Sequence, residues 1–332
     1  MNSFYLVGGI ALLVGGIVDI LWTTLWVDGG SGPISGRLTT GIWRGLRIAT
    51  GDHNKALSLA GPLTLTATLV LWIALIWTGW TFIFASHPTS IVSTRTGAVA
   101  DWAGRFYYVA YTMFTDGNGD YTPLGDVWEI ASALTTASGM AFVTLGVSYI
   151  LTVLGAVSDK RSFASTVTGL GGRSEEFVRA GWNGEDFSGL ELTLESLASE
   201  LSTLAEQHES YPILHYYHSE QSERASAVAV PILDESLTIF RHGIPDEYSP
   251  DPAVVETARA GTHSYLETLD ESFIEPAPAV ARSPNLERLR EDGIPTVADE
   301  EFATALAGLT ERRRRLLGVV ESDAWEWPPL EE

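Results

Sequence analysis

One short stretch of the chain carries residue types that bind cations. The sequence TDGNGDYTP, residues 115–123, places Asp116, Asn118 and Asp120 on either side of Gly117 and Gly119. Hard cations prefer oxygen ligands, which come either from side chains or from backbone carbonyls. The stretch therefore predicts cation coordination by one of two arrangements that exclude each other.

The first arrangement is a calcium loop of the EF-hand type, in which the alternating side chains bind the ion. Such a loop needs Gly at its sixth position and a bidentate Glu at its twelfth. Counted from Asp116, these positions hold Tyr121 and Val127. The spacing therefore disfavours the calcium loop, and so do the apolar segments on both sides.

The second arrangement uses backbone carbonyls that point at one axis. It requires backbone conformations that are open to Gly and costly for most other residues, as Gly117 and Gly119 would allow. Thr115 can add a hydroxyl oxygen at one end, and Asp120 can place carboxylates at the other. An ordinary turn is the alternative explanation for the two glycines.

The surrounding elements must hold this stretch in place, and three of them are apolar segments at 4–27, 62–86 and 127–157. About 20 predominantly apolar residues cross the bilayer as a helix. The sequence therefore predicts three membrane-spanning helices. The net charge of −22 divides unequally, because 6 Lys+Arg and 8 Asp+Glu precede Val157 whereas 14 and 34 follow from it onward. We expect an acidic domain after the third span.

Basic residues predict the orientation. Arg37, Arg44, Arg47 and Lys55 lie between the first two spans, and Lys160 and Arg161 follow the third. The positive-inside rule places both regions in the cytoplasm. The N-terminus and residues 87–126 then face outward, and the acidic domain lies inside a cell whose plasma membrane holds the chain.

The segment at 103–114 is long enough for a short helix but too short to cross the bilayer and return. The chain must therefore dip into the membrane and come back, which is allowed where backbone is shielded by protein or lines a wet cavity. In this order of elements, residues 60–157 resemble the pore module of potassium channels. The matching residues are Thr115, Gly117, Gly119 and Asp120 in the filter, Tyr107 and Tyr108 beside it, Pro123 outside it, and Gly139.

The resemblance implies a homotetramer around one pore, with filter residues 115–120 and a gating hinge at Gly139. It implies no cofactor. The permeant ion is a monovalent cation, and potassium is the leading candidate. Asp116 and Asn118 depart from the family, which usually carries Val or Ile and Tyr or Phe there. We expect Asp116 to be protonated, wetted, or hydrogen-bonded by Tyr107, Tyr108, Thr112 or a neighbouring subunit. A weakly selective sodium and potassium channel is the alternative.

The predicted fold is thus an all-α membrane protein with four regions. They are an N-terminal transmembrane helix (1–28), a cytoplasmic interfacial segment (29–60), the pore module (61–157) and a helical acidic domain (158–332). Within the second region, Ile34, Leu38, Ile42, Leu46 and Ala49 form a stripe typical of an interfacial helix. A structured loop is the alternative there.

The acidic domain offers fewer functional signals. Helical periodicity covers 190–207, 223–243, 251–273 and 297–320, and no phosphate-binding glycine motif follows a strand. His215 and His218 could share a helix face, but without a third ligand at a recognisable spacing they favour packing over metal binding. Arg312 to Arg315 predict a solvated basic patch or a contact to anionic lipid or a partner subunit.

Other function classes find little support in the sequence. No nucleophile and base, metal triad or phosphate loop stands at a mechanistic spacing, so we expect no enzyme. The expected partners are the bilayer, permeant cations and further copies of the chain, without nucleic acid. A non-conducting membrane sensor with a pore-like scaffold is the rival function. Strong acidity with 2 lysines and no cysteine fits a salt-loving prokaryote, although an acidic regulatory tail explains the charge equally.

Overall fold

The structure is a computed structural model that describes residues 1–27, 30–51, 53–270 and 274–327. It divides into two compact units: the membrane unit, residues 1–42 and 62–153, and the acidic unit, residues 43–61 and 154–332. The predicted interfacial segment is thus divided between them after Ile42. Asp28, at the end of the predicted first region, and residues 271–273, at the end of one predicted helix, lie outside the described residues.

Three helices are long and apolar enough to span a membrane. They are α1 (Ser3–Leu25), α4 (Ala60–Ala85) and α6 (Asp126–Leu170). The first two agree closely with the predicted spans. α6 continues past the predicted end at Val157, because its later residues pack in the acidic unit rather than forming an apolar run. The chain is an all-α membrane protein, as predicted.

Glycines allow α1 and α4 to pack closely. A Cβ atom at Gly9 would lie 2.7 Å from the carbonyl oxygen of Gly79, and one at Gly79 would lie 2.8 Å from Cγ of Leu13. Small residues let helix backbones approach in a bilayer, where van der Waals packing drives association. This contact fixes how α1 packs against α4 in the membrane unit.

Asp19, an acidic residue inside α1, is fully buried and hydrogen-bonded. Oδ1 accepts hydrogen bonds from the backbone N–H groups of Ile34 (2.7 Å) and Ser35 (3.1 Å), and Oδ2 accepts one from Nε1 of Trp72 (2.9 Å). The two N–H groups stand at the start of α2 (Ser35–Thr50), where the helix dipole favours a negative charge. The carboxylate is tolerated in the span because it caps another helix.

α2 confirms a helix in the predicted interfacial segment, followed by the short α3 (Asn54–Leu57). Its buried face differs from the predicted stripe by one position: Ser35, Thr39 and Trp43 are buried. The stripe residues are only half-buried or exposed. Hydroxyl bonding at Ser35 and ring packing of Trp43 against Tyr216 select this face, and apolar periodicity alone does not reveal either contact.

A two-stranded sheet and a short helix lie between α4 and α6 along the chain. β1 (Ile91–Ser93) pairs antiparallel with β2 (Tyr121–Pro123), with Val92 opposite Thr122. α5 (Trp102–Met113) separates the strands in sequence and matches the predicted short helix. The sheet was not predicted, because three-residue strands are shorter than the alternating runs that indicate a strand.

The acidic unit is a helical domain built around one central helix, α9 (Ser226–His242), in which every residue from Ser226 to Phe240 is buried. Three of the four predicted helices agree with α8, α9 and α10. The segment predicted at 297–320 forms two helices, interrupted at Gly308 and Leu309. The surrounding helices are α7 (Ser174–Gly181), α8 (Glu191–Ser210), α10 (Pro252–Asp270), α11 (Leu286–Glu291), α12 (Asp299–Ala307) and α13 (Thr310–Ser322).

Two ion pairs join α13 to α9 inside this core. Arg312 donates to both carboxylate oxygens of Asp234, and Nε of Arg313 donates to Oε1 of Glu235 at 2.8 Å. Both acids are buried. The prediction of a solvated or lipid-binding patch at Arg312 and Arg313 is therefore wrong, because these two arginines pair with acidic residues about eighty positions earlier.

Candidate functional site

α5 delivers the predicted cation-binding stretch, and several contacts fix the helix. Its N-terminus is capped by Asp101, whose Oδ1 accepts the N–H of Gly104 at 2.7 Å. Phe106 stacks on Trp77 of α4 with ring centroids 4.2 Å apart, and Nε1 of Trp77 donates to the carbonyl of Phe106 at 3.0 Å. A Cβ atom at Gly104 would lie 2.7 Å from the ring of Tyr121, so β2 approaches α5 very closely.

The 115–120 loop begins where α5 ends. The N–H of Thr115 donates to the carbonyl of Thr112 (3.2 Å), and the N–H of Asp116 donates to the carbonyl of Tyr111 (2.8 Å). Every second residue then has a left-handed backbone, with φ of 60° at Thr115, 64° at Gly117 and 77° at Gly119. Glycine adopts this conformation freely, whereas a β-branched residue such as Thr115 is strained in it.

The first four residues of the loop leave their carbonyl oxygens unpaired. Within the described residues, nothing donates a hydrogen bond to the carbonyls of residues 115–118. Residues 115–119 are also exposed in the isolated chain. Backbone carbonyls are obligatory acceptors that normally find a partner in a folded protein or in water. These four consecutive carbonyls, called the strip below, are therefore available as acceptors for a ligand or for water.

The electrostatics of the strip favour a positive ligand. The C-terminal end of α5, where a helix carries about half a negative charge, directly precedes the loop, and no basic residue stands in its last turn. The exposed carboxylate of Asp116 adds a full negative charge.

Tyr107 bonds the loop, but to other residues than predicted. Its hydroxyl accepts a hydrogen bond from the amide of Asn118 and donates to Oδ2 of Asp120 at 3.4 Å. Across the described part of the chain, no hydrogen bond reaches the Asp116 carboxylate. Of the predicted alternatives, hydrogen bonds from Tyr107, Tyr108 and Thr112 are therefore not formed within one chain, whereas the exposure of Asp116 agrees with a wetted carboxylate. A bond from a neighbouring copy stays a prediction.

The other two predicted support residues act through contacts other than a bond to Asp116. Tyr108 is buried, and its hydroxyl lies 2.5 Å from Oγ of Ser132 on α6. Thr112 contributes its carbonyl, which accepts the N–H of Thr115. Tyr108 thus joins α5 to α6, and Thr112 closes the end of α5.

Residues beside β1 hold the β2 end of the loop. Oγ1 of Thr94 donates to the carbonyls of Gly119 (2.9 Å) and Asp120 (3.1 Å), and Nη2 of Arg95 pairs with Oδ1 of Asp120 (3.2 Å). Tyr111 adds a hydrogen bond to the carbonyl of Tyr121 at 2.8 Å. Sequence reasoning missed these residues, since the partners are up to 26 positions apart. Only a prediction that β1 pairs with β2 could have found them.

Gly139, the predicted hinge, lies against the end of α5. A Cβ atom there would overlap the backbone carbonyl of Met113, two residues before Thr115. α6 is a continuous helix through this position. The hinge therefore stays a prediction, and the structure adds a packing role, because only Gly lets the two backbones come so close.

His215 and His218 lie in the acidic unit, far along the chain from the loop. Nδ1 of His218 is 3.1 Å from Oδ1 of Asp323, and its ring stacks on Trp325. Burial lowers the pKa of His215 to about 4, so its ring is neutral. No group of three or more metal-binding side chains occurs among residues 1–27, 30–51, 53–270 and 274–327. Both histidines therefore have the packing role that the sequence favours over metal binding.

Comparison with known proteins gives one relationship along the whole chain. No family model matches the sequence, and no solved structure matches it. The chain is 43% identical over 332 residues to the uncharacterized membrane protein YdjJ of Bacillus subtilis (strain 168), which covers 100% of this chain and 97% of the relative. On this identity over almost the full length of both proteins, the chain belongs to the family of the Bacillus subtilis membrane protein YdjJ.

Proposed function

We propose that the chain is one subunit of a tetrameric pore-loop channel that conducts monovalent cations, potassium foremost. The observation that carries the proposal is the backbone of the 115–120 loop. Left-handed residues alternate with others, and the carbonyls of residues 115–118 are unpaired. A cation that sheds its water needs such oxygens in its place, and rings of backbone carbonyls supply them in ion-selective pores.

The proposed number of copies follows from geometry and from the resemblance to potassium channels. One loop offers one strip of oxygens, and an ion must be surrounded. In the most apolar stretch of α6, only 22% of the residues are buried in the isolated chain. This leaves a large apolar surface for neighbouring subunits and lipid, including the exposed residues Ile130, Leu134, Met140, Val147 and Leu151. Four copies around one axis, as in the family that the pore module resembles, would use this surface.

The orientation is part of the proposal. Arg37, Arg44, Arg47 and Arg161 favour a cytoplasmic location for the α1–α4 connection and for the acidic unit. The β2 end of the 115–120 loop would then face the outside of the plasma membrane, and the N-terminus would lie outside as well. Cations would pass the Asp120 end of the loop before the Thr115 end when they enter the cell.

Potassium preference is the finer part of the proposal, because Asp116 and Asn118 replace residues that pack behind the filter in potassium channels. Asn118 is held by Tyr107, which favours a fixed loop geometry. The exposed Asp116 favours the alternative, a weakly selective sodium and potassium channel. We expect the double substitution Asp116→Val with Asn118→Tyr to raise the preference for potassium over sodium, measured as a shift in reversal potential under bi-ionic conditions.

Reconstitution of the purified full chain into planar bilayers tests the proposed function. The expected result is unitary currents carried by potassium ions, with a tetramer by mass in the same preparation. A well-folded tetramer that never conducts under any voltage or ionic condition would contradict the proposal. That outcome would support the rival function, a membrane sensor with a pore-like scaffold.

A further inference from the structure

The β2 end of the loop carries an ion pair whose charge matters for ion entry. Asp120 has one carboxylate oxygen 3.4 Å from the hydroxyl of Tyr107 and the other 3.2 Å from Nη2 of Arg95. Arg95 is 80% exposed and Asp120 is 35% exposed. The sequence predicts a ring of free carboxylates here, which attracts cations. The structure instead pairs the Asp120 carboxylate of the chain with the guanidinium of Arg95, in the turn after β1.

The position of Arg95 is set by the backbone around it. The N–H of Thr94 donates to the carbonyl of Asp120 at 3.0 Å, and its hydroxyl bonds the carbonyl of Gly119 at 2.9 Å. The N–H of Gly97 closes the turn on the carbonyl of Ser93 at 2.9 Å. These bonds hold Arg95 beside Asp120. The other arginine of this region, Arg105, donates instead to the carbonyl of Pro88 at 2.9 Å and stabilises the connection to α5.

The ligand set around Asp120 suits divalent cations once Arg95 is removed. Ca²⁺ and similar ions bind groups of carboxylate and carbonyl oxygens, and the carboxylates of Asp120 would stand next to the strip of carbonyls at 115–118. A divalent ion also feels any local potential twice as strongly as a monovalent ion. Pairing with Arg95 therefore weakens the attraction of Asp120 for divalent cations more than for monovalent cations. This difference acts before the carbonyls select an ion.

We propose that Arg95 is a specificity-determining residue that keeps divalent cations from the 115–120 loop by neutralising Asp120. This inference rests on the proposed channel function. Arg95 acts on the ion through its charge, and Thr94 is the residue that positions it.

Currents of three variants test the inference. With Ca²⁺ on the outer side, Arg95→Gln should be blocked at a concentration at least tenfold lower than the parent. Arg95→Lys should resemble the parent, and adding Asp120→Asn to Arg95→Gln should remove the block. The effect should shrink between 20 mM and 500 mM salt, because salt screens exposed charges. Equal block of the Gln and Lys variants, or an effect that is independent of salt, would overturn the proposal.

A binding measurement keeps the inference separate from the channel function. Equilibrium binding of ⁴⁵Ca²⁺ to the purified full chain requires no conduction. Arg241→Gln gives the matched control, because Arg241 also forms an exposed pair, with Glu256 in the acidic unit. We expect extra Ca²⁺ bound to Arg95→Gln, none above the parent for Arg241→Gln, and loss of the extra binding in the Asp120→Asn double variant. If the parent protein carries no current but the variants show these differences in Ca²⁺ binding, the channel function is refuted and the role of Arg95 stands. Equal binding by all variants would refute the role.

Discussion

The 115–120 loop and the centre of α9 differ in whether their polar groups have hydrogen-bonding partners within the protein. In the loop, four consecutive backbone carbonyls are exposed and receive no hydrogen bond within the described residues. In α9, Asp234 and Glu235 are almost completely buried, yet each has an arginine from α13. Thr262 adds another hydrogen bond to Asp234 at 2.8 Å.

The difference separates a binding surface from a structural core. Buried charges persist when partners within the protein satisfy them, and Arg312, Arg313 and Thr262 are such partners for the acids of α9. Acceptors that the fold positions and leaves unpaired are available for a cation. The backbone strain at Thr115 strengthens this interpretation, because strained residues concentrate at functional sites.

Gly117→Ala should nearly abolish conduction. The left-handed backbone at Gly117 costs an L-residue about 1–2 kcal/mol, and each subunit pays it. A Cβ atom there meets no other atom within 4 Å, so the chain should still fold and assemble. Unitary conductance should fall at least tenfold.

Gly41→Ala on α2 is the matched control, since its Cβ also meets open space but its φ is not positive. Its currents should equal those of the parent. Full conductance in the Gly117 variant would mean that the left-handed conformation is not needed for ion passage.

Asp234→Ala should destabilise the acidic unit by about 3–5 kcal/mol, because it removes the buried counter-charge of the partly buried Arg312. Thermal unfolding of the full chain in detergent measures the change. Glu256→Ala breaks the exposed pair with Arg241 and should cost at most about 1 kcal/mol. Similar losses for both variants would erase the distinction between buried and exposed pairs.

Gly139→Ala distinguishes a hinge from a packing contact. The added methyl group would overlap the carbonyl of Met113, and overpacking of this kind costs about 1–3 kcal/mol. Since Met113 lies two residues before the first loop residue, Thr115, we expect both open probability and ion preference to change.

A pure hinge would change open probability and leave the reversal potential unaltered. Gly155→Ala on the same helix serves as the control, because its Cβ has nothing within 4 Å. It should leave both properties unchanged.

The acidic unit should lose stability in acid through its buried histidines. Burial lowers the pKa of His208 to about 3 and that of His215 to about 4. The unfolded chain takes up these protons near pH 6.5, so the stabilisation is complete above that pH and falls as the pH drops towards 4. Each histidine contributes a slope of about 1.4 kcal/mol per pH unit.

His208→Phe removes one of these slopes. Between pH 6.5 and pH 5 the variant should lose about 2 kcal/mol less stability than the parent, measured by chemical unfolding of the full chain. An identical pH dependence would show that His208 titrates normally in the folded protein.

Local patterns predicted the parts of the molecule that depend on neighbouring residues. Apolar runs located α1 and α4, and helical periodicity located α8, α9 and α10, because length and period are local properties. Contacts between distant residues escaped prediction. The sequence shows Asp19 only as an acidic residue within an apolar span. Its hydrogen-bond donors, at the N-terminus of α2, appear only in the structure.

The candidate loop shows the same division. Glycines at alternate positions predicted backbone conformations that are open to Gly and costly for other residues, and the structure has a left-handed backbone at Gly117 and Gly119. The pairing of Asp120 with Arg95 could not be predicted, because it depends on the register of two three-residue strands. Arg312 and Arg313 carry the same lesson, since a run of like charges gives no sign of partners on another helix.

Anomalous diffraction from crystals of the full chain grown with rubidium ions tests the central claim most directly. The proposed function predicts four copies around an axis, with rubidium peaks on that axis beside the carbonyls of residues 115–118. Crystals of Gly117→Ala should lose or weaken these peaks. An axis without ions in the parent, or 115–120 loops that face away from any shared axis, would contradict the account.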